Sequence, residues 1–521
     1  MTVLRLASSW FSSKLANMAA NTLNSSAQSG GRAQRQPAPP AAAAPAACGS
    51  GGAAGGHVAD LPVIRVPLGG PEEVPSARAA IRFAYTGEVA AGSGVREVLE
   101  LYRQGQYLQL EGCAAACLAA IESMLAAART SGCSGSGGCP AALELYGNIR
   151  LWPDPALEPA FAAIVSTARA RLVSHFGGAL RTLNTPELRR QLLTLPAECL
   201  EALLESDDFG TDVEDSVLLM LAAWVEANGG GGAADAEAVE RLCRLVRLAQ
   251  LSPDFAGAVL PMLACARSMR VSCRKRTGSG GLGWFPITCA DAVLLASCCA
   301  AAGSSQKKYE RLRVHAAKAY DLQATWFSTK PRRQCPTMAA PGPPGRPQQY
   351  SSFGWSIGQD KLLRKLRDLL PGSTIRLFGS LDNGLDAMSA HGLEWQPFIT
   401  LTHGAVATGP SLYCGLPAAY GLEAFTTGDR LMALAQVGAR LEVDRWRGDG
   451  VREVAFAQTL DASELFGVGT GMGFPYAMPL KHGGEGTAEG GGGSLLRSWS
   501  AYLHKGKITG RLVLLPLSAS R

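Results

Sequence analysis

The chain has 521 residues, 47% hydrophobic and 18% charged, with 61 Gly and 30 Pro. At roughly 100–200 residues per domain this length suits about three domains plus linkers, and its apolar content excludes a fully disordered chain. Net charge is +6, but four basic residues (Arg5, Lys14, Arg32, Arg35) fall in the first 59 positions, which hold no acid. The remainder is close to neutral and lacks the concentrated basic face of a nucleic-acid binder.

The N-terminal 35 residues are Ser-rich, basic and acid-free, the composition of an organellar transit peptide. Residues 16–60 grade into Ala/Pro/Gly low complexity (Gln36-Pro-Ala-Pro-Pro-Ala), expected to form a disordered insert. A helical stretch follows to about residue 270. Thr211-Asp-Val-Glu214 has the spacing of a capping box, and Val213, Val217, Leu221 and Trp224 repeat behind it on one helical face. The run Gly229 to Gly232 is expected to stop that helix. Thr185-Pro186 and Ser252-Pro253 each read as an N-cap followed by Pro at the first helical position.

Residues 274–350 predict one apolar helix and then a Pro/Arg/Gln linker around Pro341. The basic clusters Lys307-Lys308 and Lys330-Pro-Arg-Arg333 read as solvated linker. From Ser351 the pattern changes to short alternating runs. Leu393, Trp395, Ile399 and Leu401 share one face while Glu394, Gln396, Thr400 and Thr402 share the other. Val437, Ala439, Leu441 and Val443 likewise alternate with Gln436, Arg440, Glu442 and Asp444. This period of two predicts an antiparallel sandwich with one buried and one wet face per sheet. A flexible insert is expected at 483–493.

No element of the sequence assembles catalytic chemistry. There is no HExxH helix, and Gly506-Lys507 is followed by Ile508 rather than Ser or Thr, so there is no Walker A loop. Gly467-Val-Gly-Thr-Gly471 imitates a dinucleotide fingerprint, but no helix follows it and a turn is expected. The seven His residues are dispersed; His175 reads as structural, and Asp207-Asp208 and Glu214-Asp215 as acids favoured by a helix start. The 14 Cys are scattered without zinc spacing, and pairs such as Cys113/Cys117 suit buried thiols in a reducing compartment. Cys133 and Cys139 flank a Ser/Gly loop without completing a metal set. The apolar run from Ile287 to Gly303 is interrupted by Asp291 and is short of the ~20 residues that cross a bilayer. The expectation is therefore a protein that is no enzyme, with no cofactor or metal, no catalytic residues, and neither nucleic acid nor membrane as partner.

Arg78-Ala-Ala-Ile-Arg-Phe-Ala-Tyr-Thr-Gly87, then Val95 to Tyr102, Gln106-Tyr-Leu-Gln-Leu110 and Cys113 to Leu118, resembles the "YTG" helix, "YLQ" turn and C-terminal helix of BTB/POZ domains. Leu99, Tyr102, Leu108 and Leu110 are expected to fill the space between the hairpins. Leu195 to Leu200, Val213 to Val217, Trp224-Val225 and Arg241 to Phe255 resemble a BACK domain. Met1 to Leu15 resembles the "VLxxxSxxF" piece of a BTB fold, which implies a chain that starts partway through that domain; the transit-peptide reading stays open beside it. Phe353-Gly-Trp355, Gly392 to Trp395, Leu412-Tyr413 and Tyr502 to Gly510 look like a MATH/TRAF-like sandwich of some plant and algal BTB-BACK proteins.

The resemblance implies an α+β multidomain protein: an incomplete BTB/POZ fold (1–15 and 61–130), an all-α BACK bundle (139–270), a linker with one helix (271–350) and a β-sandwich (351–521). It implies a cytoplasmic or nuclear adaptor, organellar if the N-terminus is a transit peptide. The partners implied are a cullin-3-type ubiquitin-ligase scaffold, a substrate protein or peptide held on the strand-rich module, and a second copy through a BTB homodimer. Leu143, Leu145 and Tyr146 would form the docking face; ordinary core packing explains the same residues.

Overall fold

The computed structural model describes residues 2–28, 64–90, 92–127, 140–228, 233–272, 283–318, 324–334, 352–423, 433–447, 450–460, 464–480 and 496–515. Cys133, Cys139, the run Gly229 to Gly232, the Pro341 linker and the 483–493 insert lie outside these. The chain divides into two compact units, residues 1–168 and 169–521.

The first unit is helical, with α1 (Thr2–Ala7), α2 (Ser9–Gln28), α3 (Val74–Thr86), α4 (Val95–Tyr107), α5 (Cys113–Ala127) and α6 (Pro140–Gly147). Helix α2 carries the chain in helical form well past residue 16, where the low-complexity insert was expected to begin. Gly87 ends α3 in the left-handed region (φ 71°), its N–H bonded to the Phe83 carbonyl at 2.7 Å, as a helix C-terminus demands. Leu99, Tyr102, Leu108 and Leu110 are all buried. Against them the N-terminal segment is fixed: Ser8 donates its hydroxyl to the Leu108 carbonyl, Glu111 N–H bonds the Ala7 carbonyl at 3.0 Å, and Phe11 is buried. Gly105 lets α4 approach α5, since a Cβ there would lie 2.5 Å from Cys113 Sγ.

Helix α7 (Pro159–Phe176) leads into the second unit, which continues with α8 (Ala179–Asn184), α9 (Pro186–Leu193), α10 (Ala197–Glu205), α11 (Glu214–Asn228), α12 (Ala233–Cys243), α13 (Pro253–Ser272), α14 (Cys289–Ser304) and α15 (Gln306–Ala316). Residues 214–225 of α11 are buried on every side, the mark of a central helix, and Trp224 donates its indole N–H to the Leu195 carbonyl at 2.9 Å. Pro186 and Pro253 open α9 and α13 as their spacing predicts.

The expected capping box at Thr211 does not form. Thr211 Oγ1 donates to the Val213 carbonyl at 2.6 Å, and Glu214, instead of reaching back, accepts from Arg247 N–H at 2.9 Å and from Arg332 Nε at 3.0 Å. A carboxylate this deeply buried needs a countercharge more than a helix start needs a cap. Arg332, expected in solvated linker, is the group that supplies it: buried, it also donates to the carbonyls of Leu204 (2.6 Å), Ser206 (3.1 Å) and Leu245 (3.3 Å). The strap 324–334 is thus stitched into the bundle, with Trp326 Nε1 on the Cys243 carbonyl at 2.8 Å and Thr211 N–H on the Arg333 carbonyl at 3.1 Å. A reciprocal capping box occurs instead at Thr288 and Asp291, opening α14. Lys307 and Lys308 are exposed on α15.

The C-terminal part comprises β1 (Ser352–Gly358), α16 (Gln359–Arg367), β2 (Thr374–Phe378), β3 (Ser380–Leu381), β4 (Met388–Ala390), β5 (Leu393–Thr402), β6 (Ala407–Thr408), β7 (Pro410–Gly415), β8 (Leu434–Ala435), β9 (Ala439–Trp446), β10 (Arg452–Leu460), β11 (Phe466–Gly467), β12 (Thr470–Gly473), β13 (Met478–Pro479), β14 (Leu503–His504) and β15 (Lys507–Leu514). One antiparallel sheet runs β10-β9-β15-β1-β3 with β14 paired to β15; a second runs β12-β7-β5-β2 with β4 paired to β5; β11-β8 and β13-β6 form two short pairs. Trp355, Leu441, Val443, Ile508 and Leu512 of the first sheet are buried, as are Trp395, Ile399, Leu401, Leu412 and Cys414 of the second. The expected parity of β5 holds. On β9 it does not: Glu442 and Asp444 are buried, because Asp444 accepts from Arg452 at 2.8 Å and Thr509 Oγ1 at 2.9 Å while Glu442 pairs with Arg440 at 2.9 Å. Gly467 to Gly471 forms the tight connection between β11 and β12, with Gly469 at φ 83°. The architecture is α+β, a helical half followed by antiparallel sheets.

Candidate peptide-binding face

Bundle and sandwich meet within the second unit through the β4–β5 hairpin. His391 and Gly392 both have positive φ (54° and 71°), as a two-residue type I′ connection requires. His391 N–H bonds the Asp212 carboxylate at 2.9 Å and Gly392 N–H bonds Ser216 Oγ at 3.3 Å. The Asn184 amide accepts from Ser389 N–H at 2.8 Å and donates to the Ser389 carbonyl at 2.6 Å. Tyr420 donates to the Gly392 carbonyl at 2.9 Å and itself accepts, at its own carbonyl, from the Trp284 indole at 3.2 Å. Asp215 is fully buried beside the hairpin and holds Ser252 N–H at 2.9 Å; burial pushes its carboxyl up to about 8. These bonds fix the orientation of β5 and hence of the sheet that it centres.

The outer side of that sheet carries an aromatic floor whose central ring, Phe398, is buried, while Phe378 and Tyr413 on either side are half-buried. Phe378 on β2 pairs with Phe398 on β5, which pairs with Ser411 on β7; Tyr413 on β7 pairs with Gln396 and with Gly471 of β12. Ring centroids lie 5.4 Å apart for Phe378–Phe398 and 5.5 Å for Phe378–Tyr413. The exposed Arg376 reaches across this floor, its guanidinium 5.5 Å from the Phe398 ring centre and 5.7 Å from that of Tyr413, a cation–π arrangement. No carboxylate pairs with Arg376 among the described residues.

At the β12 edge the face has no side-chain wall. A Cβ at Gly471 would fall 2.6 Å from the Phe398 ring, and one at Gly473 would fall 1.7 Å from Ser411 Oγ. These glycines leave backbone, not side chains, beside the rings. At the other end of β5, burial raises the Glu394 carboxyl above its ordinary value; Arg189 of α9 opposes the shift, and Glu226 and Asp386 add to it. Carboxyl groups thus gather near the bundle with Arg189 beside them, the cation Arg376 stands on the far side, and the rings lie between.

Residues 183–260 match the BACK family, BTB And C-terminal Kelch. The matched stretch runs from the end of α8 into the first part of α13, so the BACK region contains Asn184, Asp212, Asp215 and Ser216, the residues that grip the β4–β5 hairpin. No curated protein matches the chain.

Of the three residues expected to form a docking face, Leu145 and Tyr146 are interior. Tyr146 stacks edge-on with Trp152 (5.3 Å), which does the same with Phe161 (5.5 Å), and Trp152 Nε1 bonds the Leu145 carbonyl at 2.9 Å. Their side chains serve packing; Leu143 alone of the three is half-buried. The first unit does carry an open cleft of about 1180 Å³ along α3 and α4, where Arg78, Arg82 and Arg96 mingle with Glu72, Glu97 and Glu100. His175 bonds Gln191 at 2.7 Å, a structural contact. Of the nine described thiols seven are buried, and burial raises that of Cys299 to about 12. Among the described residues no group of three His, Cys, Asp or Glu side chains could hold a metal, and no helix is long and apolar enough to cross a membrane.

Sequence reasoning missed Arg376, Phe378 and Phe398. A signal was present for Phe398, an aromatic whose parity on β5 places it on the side of Glu394, Gln396 and Thr400, although the structure buries its ring. Arg376 and Phe378 stand on a five-residue strand too short for its pattern to be read.

Proposed function

We propose that this protein is a non-catalytic BTB/BACK-type adaptor whose sandwich captures an extended segment of a substrate protein and whose helical part docks a cullin-3-type ubiquitin-ligase scaffold. The observation that carries the reading is the BACK match at 183–260, on a bundle hydrogen-bonded directly to a sandwich with an aromatic outer face. The half-buried Phe378 and Tyr413 receive side chains of the bound segment, and the glycine-lined β12 edge accommodates its backbone. The first unit, similar to part of a BTB domain, would supply scaffold contact and homodimer formation in the cytoplasm or nucleus. The MATH/TRAF-like resemblance of the strands is consistent with this division of labour.

Co-precipitation of the full chain from native cells tests the scaffold role, with cullin-3 recovered above background as the expected result. Failure to recover it removes the ligase assignment. The burial of Leu145 and Tyr146 favours one alternative, a BTB-BACK scaffold or regulatory protein without a ligase role. That alternative predicts partners recovered without cullin and without proteasome-dependent turnover.

A further inference from the structure

Helix α16 connects the two sheets and packs along β2, the strand that carries Arg376 and Phe378. It exposes Lys361, Arg364, Lys365 and Arg367, while Leu362 anchors its inner side. Lys361 Nζ donates to the Phe378 carbonyl at 2.9 Å, which places the start of this helix at the rim of the aromatic floor. The N-terminus of α16 meets the tip of the β14–β15 hairpin: Gln359 N–H bonds the Gly506 carbonyl at 2.8 Å, and Lys507 pairs with Gly358 across the ladder. Lys505 and Lys507 on that tip are exposed.

Elsewhere in the second unit basic side chains commonly have acidic partners, among them Arg169, Arg190, Arg241, Arg244, Arg247, Arg332, Arg440, Arg447 and Arg452. The six cations of α16 and the hairpin tip form no ion pair among the described residues, and the acids of the helix itself are Asp360 and, just beyond it, Asp368. Uncompensated like charge on a short helix and an adjoining turn costs repulsion, which a partner of opposite sign relieves. The exposed Leu370, next after the buried Leu369, adds an apolar contact at the far end.

We infer that this basic ledge binds an acidic stretch of the same polypeptide whose neighbouring residues occupy the aromatic floor. The inference rests on the peptide-capture reading and gives its substrate class: segments with Asp or Glu clustered beside the residues that cross β2. Arg376 stands at the junction, on the side of the floor away from the carboxyl groups of Glu394 and Asp386, so the basic end of the face is the one that meets the acidic stretch. An anionic membrane would also meet the charge, but the ledge adjoins a floor of tilted and edge-on rings and a glycine-lined strand edge, which a lipid surface would leave unused.

The test uses the full-length chain with a fluorescent oligoglutamate peptide, a Gly/Ser control peptide and phosphatidylserine vesicles, and separately a displayed library of random peptides. Oligoglutamate is expected to bind above the control, and the triple change Arg364→Glu, Lys365→Glu and Arg367→Glu to weaken it by about tenfold or more. The pair Lys505→Glu and Lys507→Glu, on a separate element, is expected to weaken it as well. Library peptides selected by the wild type are expected to be rich in Asp and Glu, and the triple variant to lose that bias while still selecting peptides. Equal oligoglutamate binding by wild type and both variants overturns the ledge. So does a charge-dependent affinity for vesicles with none for the peptide. Selected peptides without acidic bias overturn the ledge but leave the groove standing, whereas charge-dependent oligoglutamate binding with no peptides selected overturns the capture reading and with it the shared polypeptide.

Discussion

Asn184, the last residue of α8, holds Ser389 of β4 by both faces of its backbone. Its amide nitrogen donates to the Ser389 carbonyl at 2.6 Å and its amide oxygen accepts from the Ser389 N–H at 2.8 Å, although 205 residues separate the two. An amide side chain used in this way extends the edge of a sheet into a helical bundle.

Asn184→Ala would leave both backbone groups of Ser389 buried without partners, at a cost of about 1–3 kcal/mol each before relaxation. The expected outcome is a lower Tm and, in calorimetry, a transition that broadens or splits as sandwich and bundle lose their joint. A single sharp transition at the wild-type Tm would show that the joint does not depend on this pair.

Gly392 is required at the hairpin that plugs into the bundle. It sits at φ 71°, and a Cβ there would lie 2.8 Å from Asp215 Cβ and 2.8 Å from the Phe255 ring. Gly392→Ala combines left-handed backbone strain of about 1–2 kcal/mol with overpacking of similar size. Denaturant unfolding is expected to show a loss of at least ~2 kcal/mol, far more than Gly404→Ala, where the same φ meets open space.

Arg332→Ala strands Glu214 as an unpaired buried carboxylate, and removal of one partner of such a pair costs about 3–5 kcal/mol. The double change Arg332→Met and Glu214→Leu removes both charges and is expected to recover much of that loss. Urea midpoints of the single and double variants decide it; additive losses would contradict the pairing.

The Asp215 carboxyl is raised from an ordinary 3.8 to about 8, first by burial and with Ser252 opposing. The folded chain therefore holds a proton that the unfolded chain releases between those values. Stability from this group is full below pH 3.8 and is lost as pH rises through about 8, with a slope of at most ~1.4 kcal/mol per pH unit. Asp215→Asn keeps the shape without the titration, so its stability relative to wild type is expected to rise steadily with pH over that window. Parallel pH profiles for the two proteins would rule out a raised carboxyl.

Periodicity determined a good part of this protein. The spacing of Leu99, Tyr102, Leu108 and Leu110 gave one core, and the alternation of Leu393, Trp395, Ile399 and Leu401 gave the buried face of β5. It also set Phe398 on the side of Glu394 and Gln396, the one legible trace of the candidate site, although that ring is buried. Helix starts at Pro186 and Pro253 were equally local. Each of these depends on neighbours within a turn or a strand, where geometry repeats and a pattern can be read.

The tertiary structure alone decided the rest. Glu214 looked like half of a capping box and became the partner of Arg332, 118 residues away; Asp444 looked wet and was buried under Arg452 and Thr509. Leu145 and Tyr146 read as a docking face by resemblance and as core by ordinary packing; the structure buries both, with Trp152 against Tyr146 and Phe161 against Trp152. Local sequence states which groups are polar and how they are spaced, but whether a charge is solvated or paired depends on which distant segment arrives beside it. Desolvation acts only once that segment is in place, and so the buried ion pairs, the hairpin joint and the Arg376 platform had no signature along the chain.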